Sequence, residues 1–137
     1  MAIPDNHLYE YAIVRYVPRV DRGEFINIGL IMMCKRLKWL RGEIYLNEER
    51  ICALDPRTNI EMLSSQASIF KRDNVPSKDI PIEERYRWLT AVKSAVLQVS
   101  PSHPGVLVPE NISQSGKDEL IKNLDREFDR LFRDLIL

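Results

Sequence analysis

Thiol and imidazole groups are scarce in this sequence: two cysteines, Cys34 and Cys52, and two histidines, His7 and His103, in 137 residues. No Cys-x-x-Cys spacing occurs, and neither histidine has a second histidine or a cysteine at ligand spacing. That spacing excludes a zinc site and a disulfide framework, so both cysteines are expected as buried thiols packed as small hydrophobes. No metal and no cofactor is expected. The five glycines are scattered singly, which excludes a phosphate-cradling glycine loop. An excess of either charge is also missing, since 20 Lys plus Arg balance 20 Asp plus Glu for a formal net charge of zero. Dedicated nucleic-acid binders carry positive excess, because phosphate neutralisation supplies most of their affinity. Zero net charge also removes electrostatic protection against self-association, which leaves room for a homodimer or a stable protein partner. No apolar run approaches the ~20 residues needed to cross a bilayer. The first residues lack the basic stretch and apolar run of a signal peptide, so a cytoplasmic location with no membrane contact is expected.

With 45% apolar and 29% charged residues, the composition is that of a globular chain of ordinary domain size. The expectation is a single domain over 1–137, with an N-terminal tail over 1–7 and a C-terminal amphipathic helix over about 115–137. Residues 9–17 are rich in aromatic and β-branched side chains and stop at Pro18, as a strand should. A second strand is expected over 25–34, after a turn holding Asp21, Arg22 and Gly23. Alternation puts Ile26, Ile28, Leu30, Met32 and Cys34 on one of its faces and lets Asn27 and Gly29 interrupt the other. A third alternating run, 40–46, completes an antiparallel meander.

The second half has helical periodicity. Asn47 is placed to cap a short helix, and Thr58-Asn-Ile-Glu61 has the capping-box pattern ahead of Ile60, Leu63, Ala67 and Phe70. Residues 71–79 read as a loop, and Pro81 opens a helix over 82–90 with Tyr86 and Leu89 on one face. Residues 95–99 are β-prone and read as a fourth strand, while Pro101, Pro104 and Pro109 exclude helix through 100–110. In the last helix Leu120, Leu124, Phe128, Leu131 and Leu135 form one stripe. Asp118–Lys122 and Asp129–Arg133 stand at i,i+4 spacing on its solvated side. The expected fold is α+β: an antiparallel sheet of about four strands, an N-terminal three-stranded meander plus one later strand, covered by three or four helices.

Four phrases resemble an uncharacterised bacterial family, domain of unknown function 3037. They are Arg15-Tyr-Val-Pro18, Arg22-Gly-Glu-Phe-Ile-Asn-Ile-Gly29, Arg87-Trp-Leu-Thr90 and Ser94-Ala-Val-Leu-Gln-Val-Ser-Pro-Ser-His-Pro-Gly105. The resemblance implies a small bacterial protein with no assigned activity. It also implies a protein partner, since members are often encoded beside kinases resembling the HipA type. One departure is Val92-Lys93, where similar members commonly carry Pro-Arg.

Three groups of residues are candidates for chemistry or binding. Ser100 and His103, with Gln98 and Ser102, invite a nucleophile–base reading, because histidine can take a hydroxyl proton near neutral pH. No Gly-x-Ser-x-Gly elbow and no orienting acid accompany them, and a proline-rich loop whose hydroxyls satisfy its own backbone has the same composition. The second group is Arg15, Arg22, Glu24 and Asn27. An amide inside an apolar strand needs partners, so Asn27 belongs either to a polar network that fixes register or to a small anion pocket. Gln98, Ser100 and His103 would join that pocket if the fourth strand lies beside the first hairpin. The third is the basic turn of Lys35, Arg36, Lys38 and Arg41 around Trp39, which could bind single-stranded nucleic acid or could simply keep a hairpin tip solvated. Trp39, Trp88, Phe128 and Phe132 are the aromatics available to a protein interface. The leading expectation is a non-catalytic interaction or regulatory protein acting on a protein partner. The alternatives are a small enzyme or anion- or nucleotide-binding domain using the Arg/Asn/Gln/Ser/His group and, third, a weak nucleic-acid binder.

Overall fold

A computed structural model describes residues 7–71, 80–107 and 116–137. The expected loop over 71–79 and tail over 1–7 therefore fall almost entirely outside the described residues. The elements run β1 (His7–Tyr16), β2 (Ile26–Cys34), β3 (Trp39–Ile44), α1 (Glu48–Leu54), α2 (Ile60–Ala67), a short 3-10 turn (Ser68–Phe70), α3 (Ile82–Thr90), β4 (Leu97–Val99), β5 (His103–Leu107) and α4 (Lys117–Leu135). All strand pairs are antiparallel, in the order β3–β2–β1–β4, with β5 also pairing with β1. This is the α+β arrangement with an N-terminal meander, and among the described residues it has five strands rather than the expected four or so.

Both faces of the sheet are covered. On one, Val14, Tyr16, Ile28, Ile31 and Met33 meet Ile51 of α1, Leu63 and Ala67 of α2, Phe70, and Tyr86 and Leu89 of α3. On the other, Tyr9, Ile13, Leu30, Met32, Cys34 and Trp39 meet Leu124, Phe128, Leu131 and Ile136 of α4. Leu124 and Phe128 are fully buried, each contributing about 1.5–3 kcal/mol through burial. Asn47 caps α1 by accepting from Arg50 N at 3.1 Å. The α2 cap is Asn59, which accepts from Met62 N at 3.1 Å, while the Thr58 hydroxyl bonds the Tyr16 phenol at 3.0 Å.

Two one-residue slips correct the period-two reading. Val14 pairs with Gly29 but Arg15 pairs with Asn27, so Ile28 is an extra residue on β2. A bulge of this kind puts two consecutive residues on one side and inverts the alternation beyond it. Ile26 and Ile28 consequently face α1–α3, whereas Leu30, Met32 and Cys34 face α4. Asn27 and Gly29 are likewise on opposite faces. Gly29 meets Val14, Ile44 and the Glu43 carbonyl on the α1–α3 side, so a neighbouring strand and its side chains fill the gap its missing Cβ leaves.

The second slip lies between β4 and β5. Val14 pairs with Val99 and Tyr11 with His103, which leaves one extra residue in the Ser100–Ser102 corner. Ser100 N donates to Ile13 O, and Ile13 N donates to Ser100 Oγ, both at 2.9 Å. The hydroxyl thus stands in for the carbonyl that the ladder lacks at this corner. The stretch expected as a proline-rich loop is therefore strand in part, since β5 takes up His103–Leu107. The Ser94 and Ser100 hydroxyls bond their own backbone, at Val96 N and Pro101 O. Pro104 is tolerated because β5 flanks the sheet, and the Tyr9 ring covers Gly105 across the pair.

Cys34 is buried as expected, but Cys52 is exposed. Ile51 turns into the core, and the next residue lies about 100° further round a helix that has only one face on the sheet. On α4, Asp129 pairs with Arg41 at 3.1 Å rather than with Arg133.

Candidate functional site

The inversion at Ile28 aligns three polar side chains. Directly opposite residues in a ladder share a face, and Arg15 is opposite Asn27 on one side and Gln98 on the other. Gln98, Arg15 and Asn27 therefore form one row across β4, β1 and β2, on the α4 face and at the C-terminal end of α4. Asn27 Nδ2 donates to Leu135 O at 3.2 Å, satisfying one of the carbonyls that a helix end leaves unpaired. This contact fixes the amide orientation, because a flipped amide would set oxygen against oxygen. Asn27 Oδ1 is then buried with no partner among the described residues, and so is Nε of Arg15, the residue opposite in the ladder.

The Arg15 side chain makes no hydrogen bond or ion pair among the described residues. Its guanidinium carbon lies 4.5 Å from the centre of the Phe25 ring, a contact that supplies no hydrogen-bond acceptor. Glu24 pairs with Arg22, both well exposed, and gives Arg15 no counter-charge. Gln98 Nε2 donates to Ala95 O at 2.7 Å. Phe25 and Tyr45 are exposed at 47% and 41%. Tyr45 N donates to Ile28 O, which sets Tyr45 next to the row. With Phe132 and Leu137, Tyr45 also lines a shallow cavity of about 370 Å³ beside α4. This end of the sheet thus joins exposed aromatics to an arginine side chain and an amide oxygen that have no partner among the described residues.

The remaining candidates fall elsewhere. Ser100 Oγ is occupied by Ile13 N and donates to Pro101 O at 3.0 Å. His103 is opposite Tyr11, its ring 5.3 Å from the tyrosine ring. Four strand residues, about 13 Å, separate that level from Arg15. Ser100 and His103 share no hydrogen bond among the described residues. A hydrogen-bonded chain absent from the sequence reading runs from the Tyr86 phenol to Ser102 Oγ at 2.8 Å and on to Glu10 at 3.4 Å. Burial pushes the Tyr86 phenol up to about 12, against a smaller lowering by the Ser102 hydrogen bond.

The basic turn is partly committed to structure. Arg41 lies against Asp125 at 3.2 Å, Asp129 at 3.1 Å and Glu43 at 3.5 Å, and over the Phe128 ring at 4.2 Å. Trp39 and Phe128 are buried edge to face at 6.3 Å, and Phe132 stacks on Phe128 at 5.9 Å, half-buried. Trp88 keeps an exposed edge, with the Lys93 ammonium 4.4 Å from its ring. Lys93 also donates to the Trp88 and Ala91 carbonyls at the end of α3, and burial lowers its pKa.

Phe25 and Tyr45 are the functional candidates that sequence reasoning did not find. Phe25 lies within the Arg22–Gly29 phrase, a signal that could have found it, while nothing in the local pattern marks Tyr45. Among the described residues, no helix is long and apolar enough to cross a membrane. No curated protein and no solved structure matches the chain. The model of one family, described as Protein of unknown function (DUF3037), does match, over residues 11–136, and the chain belongs to that family.

Proposed function

We propose that this chain is a non-catalytic interaction protein whose partner is another protein, docking on the end of the sheet beyond α4. The observation that carries this reading is the exposure of Phe25 and Tyr45 around Arg15, an arginine with no counter-charge among the described residues. Aromatic residues and arginine are the side chains that dominate binding energy at protein interfaces, and uncompensated charge there gives direction to the docking. A kinase of the HipA type, the neighbour that the family resemblance implies, is the first partner to test. A second copy of the chain is the other protein this surface could meet. The small-anion reading keeps Arg15 in its favour but loses Ser100 and His103 to other levels of the sheet. The nucleic-acid reading has Arg41 engaged by carboxylates and Trp39 buried.

The test compares Phe25→Asp with Met62→Asp, a control at an exposed α2 position on the opposite side of the sheet. Each tagged variant is incubated with the purified HipA-type kinase and, separately, with untagged wild-type chain. Retention by wild type and Met62→Asp but not by Phe25→Asp is expected, with matched melting temperatures. Equal retention by all three, or by none, overturns the assignment of this surface.

A further inference from the structure

We propose that the recess where β1 begins and β5 ends, on the α1–α3 side of the sheet, binds a single-chain amphiphile with an anionic head group. Its floor follows from the strand register. Tyr9, Tyr11 and Ile13 pack toward α4, so alternation turns Leu8 and Glu10 to the other face. Glu10 is opposite Met33 on one side and Pro104 on the other, and Leu8 is opposite Val106. Directly opposite residues share a face, so all five look toward the helical layer. That layer stops short of them. α3 reaches Glu10 through Tyr86 and Ser102, and beyond that level Leu8 and Val106 are exposed at 57% and 45%.

The cavity over this floor measures about 650 Å³ and is lined by Leu8, Glu10, Met33 and Pro104, with Lys35 and Arg36 from the turn after β2. Ligand sites enclose roughly 300–1,000 Å³ behind mostly apolar walls with a few polar groups. The charged groups decide the head. Two cations stand against one carboxylate, and that carboxylate already accepts from the Ser102 hydroxyl. The Lys35 side chain is 72% exposed and its ammonium lies 3.9 Å from Glu83, the outer limit of an ion pair, so a closer anion can take it. Glu10 stands two residues along β1 from Leu8, about 7 Å deeper, and repels an anion at that inner end. The head therefore sits at the turn. From there the chain runs across Leu8 to Val106, two inter-strand spacings or about 10 Å, the reach of roughly eight carbons. A free inorganic anion would leave the apolar floor in water.

The experiment is methyl NMR of the full chain, reading Leu8 and Val106 against Met62 and Leu137, which are exposed elsewhere. Hexanoate, octanoate, octyl phosphate, octanol and octylammonium are titrated separately. Octanoate should move the Leu8 and Val106 resonances saturably and leave the other two in place. Each buried CH₂ is worth about fourfold in affinity, so octanoate should bind on the order of tenfold more tightly than hexanoate. Octanol and octylammonium should be weaker than octanoate. Octyl phosphate and octanoate should both exceed octanol, and their order names the head group. Lys35→Glu, at an exposed side chain, should remove the preference for octanoate over octanol at an unchanged melting temperature. Equal movement of all four residues would overturn the proposal in favour of adsorption to any apolar surface. Octanol or octylammonium binding as tightly as octanoate would overturn it too, as would a preference that survives Lys35→Glu. So would no movement with any probe at tens of millimolar. The probe comparisons use the wild-type chain and do not depend on a variant folding.

Discussion

Ser100→Ala isolates one atom whose role the structure defines closely. The hydroxyl accepts from Ile13 N at 2.9 Å, inside the corner where β4 passes into β5. Ser100 is 4% exposed and Ile13 9%, so water has little access to replace it. Alanine keeps the Ser100 N to Ile13 O bond and removes almost no volume, which makes the cavity contribution small. The Pro101 carbonyl also loses its donor, but that residue is exposed and water replaces it. What counts is a buried N–H without an acceptor, a loss of about 1–3 kcal/mol. For a domain of this size that corresponds to a fall of roughly 4–12 °C in Tm. Calorimetry measures the global effect. Amide exchange at Ile13, compared with Val14 beside it, measures the local one. A fall below about 2 °C with unchanged Ile13 protection would refute the reasoning, because Ile13 N would then have found another acceptor.

Gly29→Ala should destabilise by about 1–3 kcal/mol in urea unfolding, because the new Cβ would meet the Glu43 carbonyl at 2.9 Å as well as the Ile44 side chain. Tyr86 predicts a loss of stability at high pH. Its folded pKa of about 12 exceeds the ordinary phenol value of 10.0, so from pH 10 to 12 the unfolded chain gives up the proton first. The stabilisation is full below pH 10 and declines by about 2–3 kcal/mol as pH rises through that window. Denaturation curves of wild type and Tyr86→Phe across the window should converge by that amount, and parallel curves would contradict it. Asn59→Ala should cost about 1 kcal/mol through loss of the α2 cap. Thr58→Ala should act instead through the Tyr16 hydrogen bond, and a Tyr16→Phe, Thr58→Ala double-mutant cycle would show that coupling.

The meander, the Asn47 cap and the α4 stripe were legible because each depends on local spacing, whereas the capping-box pattern pointed to Thr58 and the α2 cap is Asn59, one residue later. The slip at Ile28 was not legible. β2 is buried on both faces, so its alternation carries no polar mark that would reveal a change of phase. Only Asn27 hinted at it, and the direction in which that side chain points follows from the inversion itself. β5 was obscured by Pro104 and Gly105, both strand-averse. Pro104 is acceptable beside only one neighbouring strand, and Gly105 is sheltered by a tyrosine from that strand. At the site, Arg15, Asn27 and Gln98 were visible as polar residues among apolar ones. Their shared row needed the register, and Tyr45 beside them needed the end point of α4.

The two slips meet β1 at nearly the same place, one on each of its edges, around Ile13, Val14 and Arg15. This gives the sheet a transverse crease, on one side of which the inside and outside of β2 exchange. Its consequence is an uneven tolerance of length change along the chain. Residues added to the turn around Gly23 would lengthen a loop and leave the layers in place. Deleting Ile28 would turn one end of β2 inside out, either carrying Asn27 away from α4 or driving Leu30, Met32 and Cys34 into the wrong layer. Descendants of this sequence can therefore vary in length at the hairpin tip far more freely than at the crease.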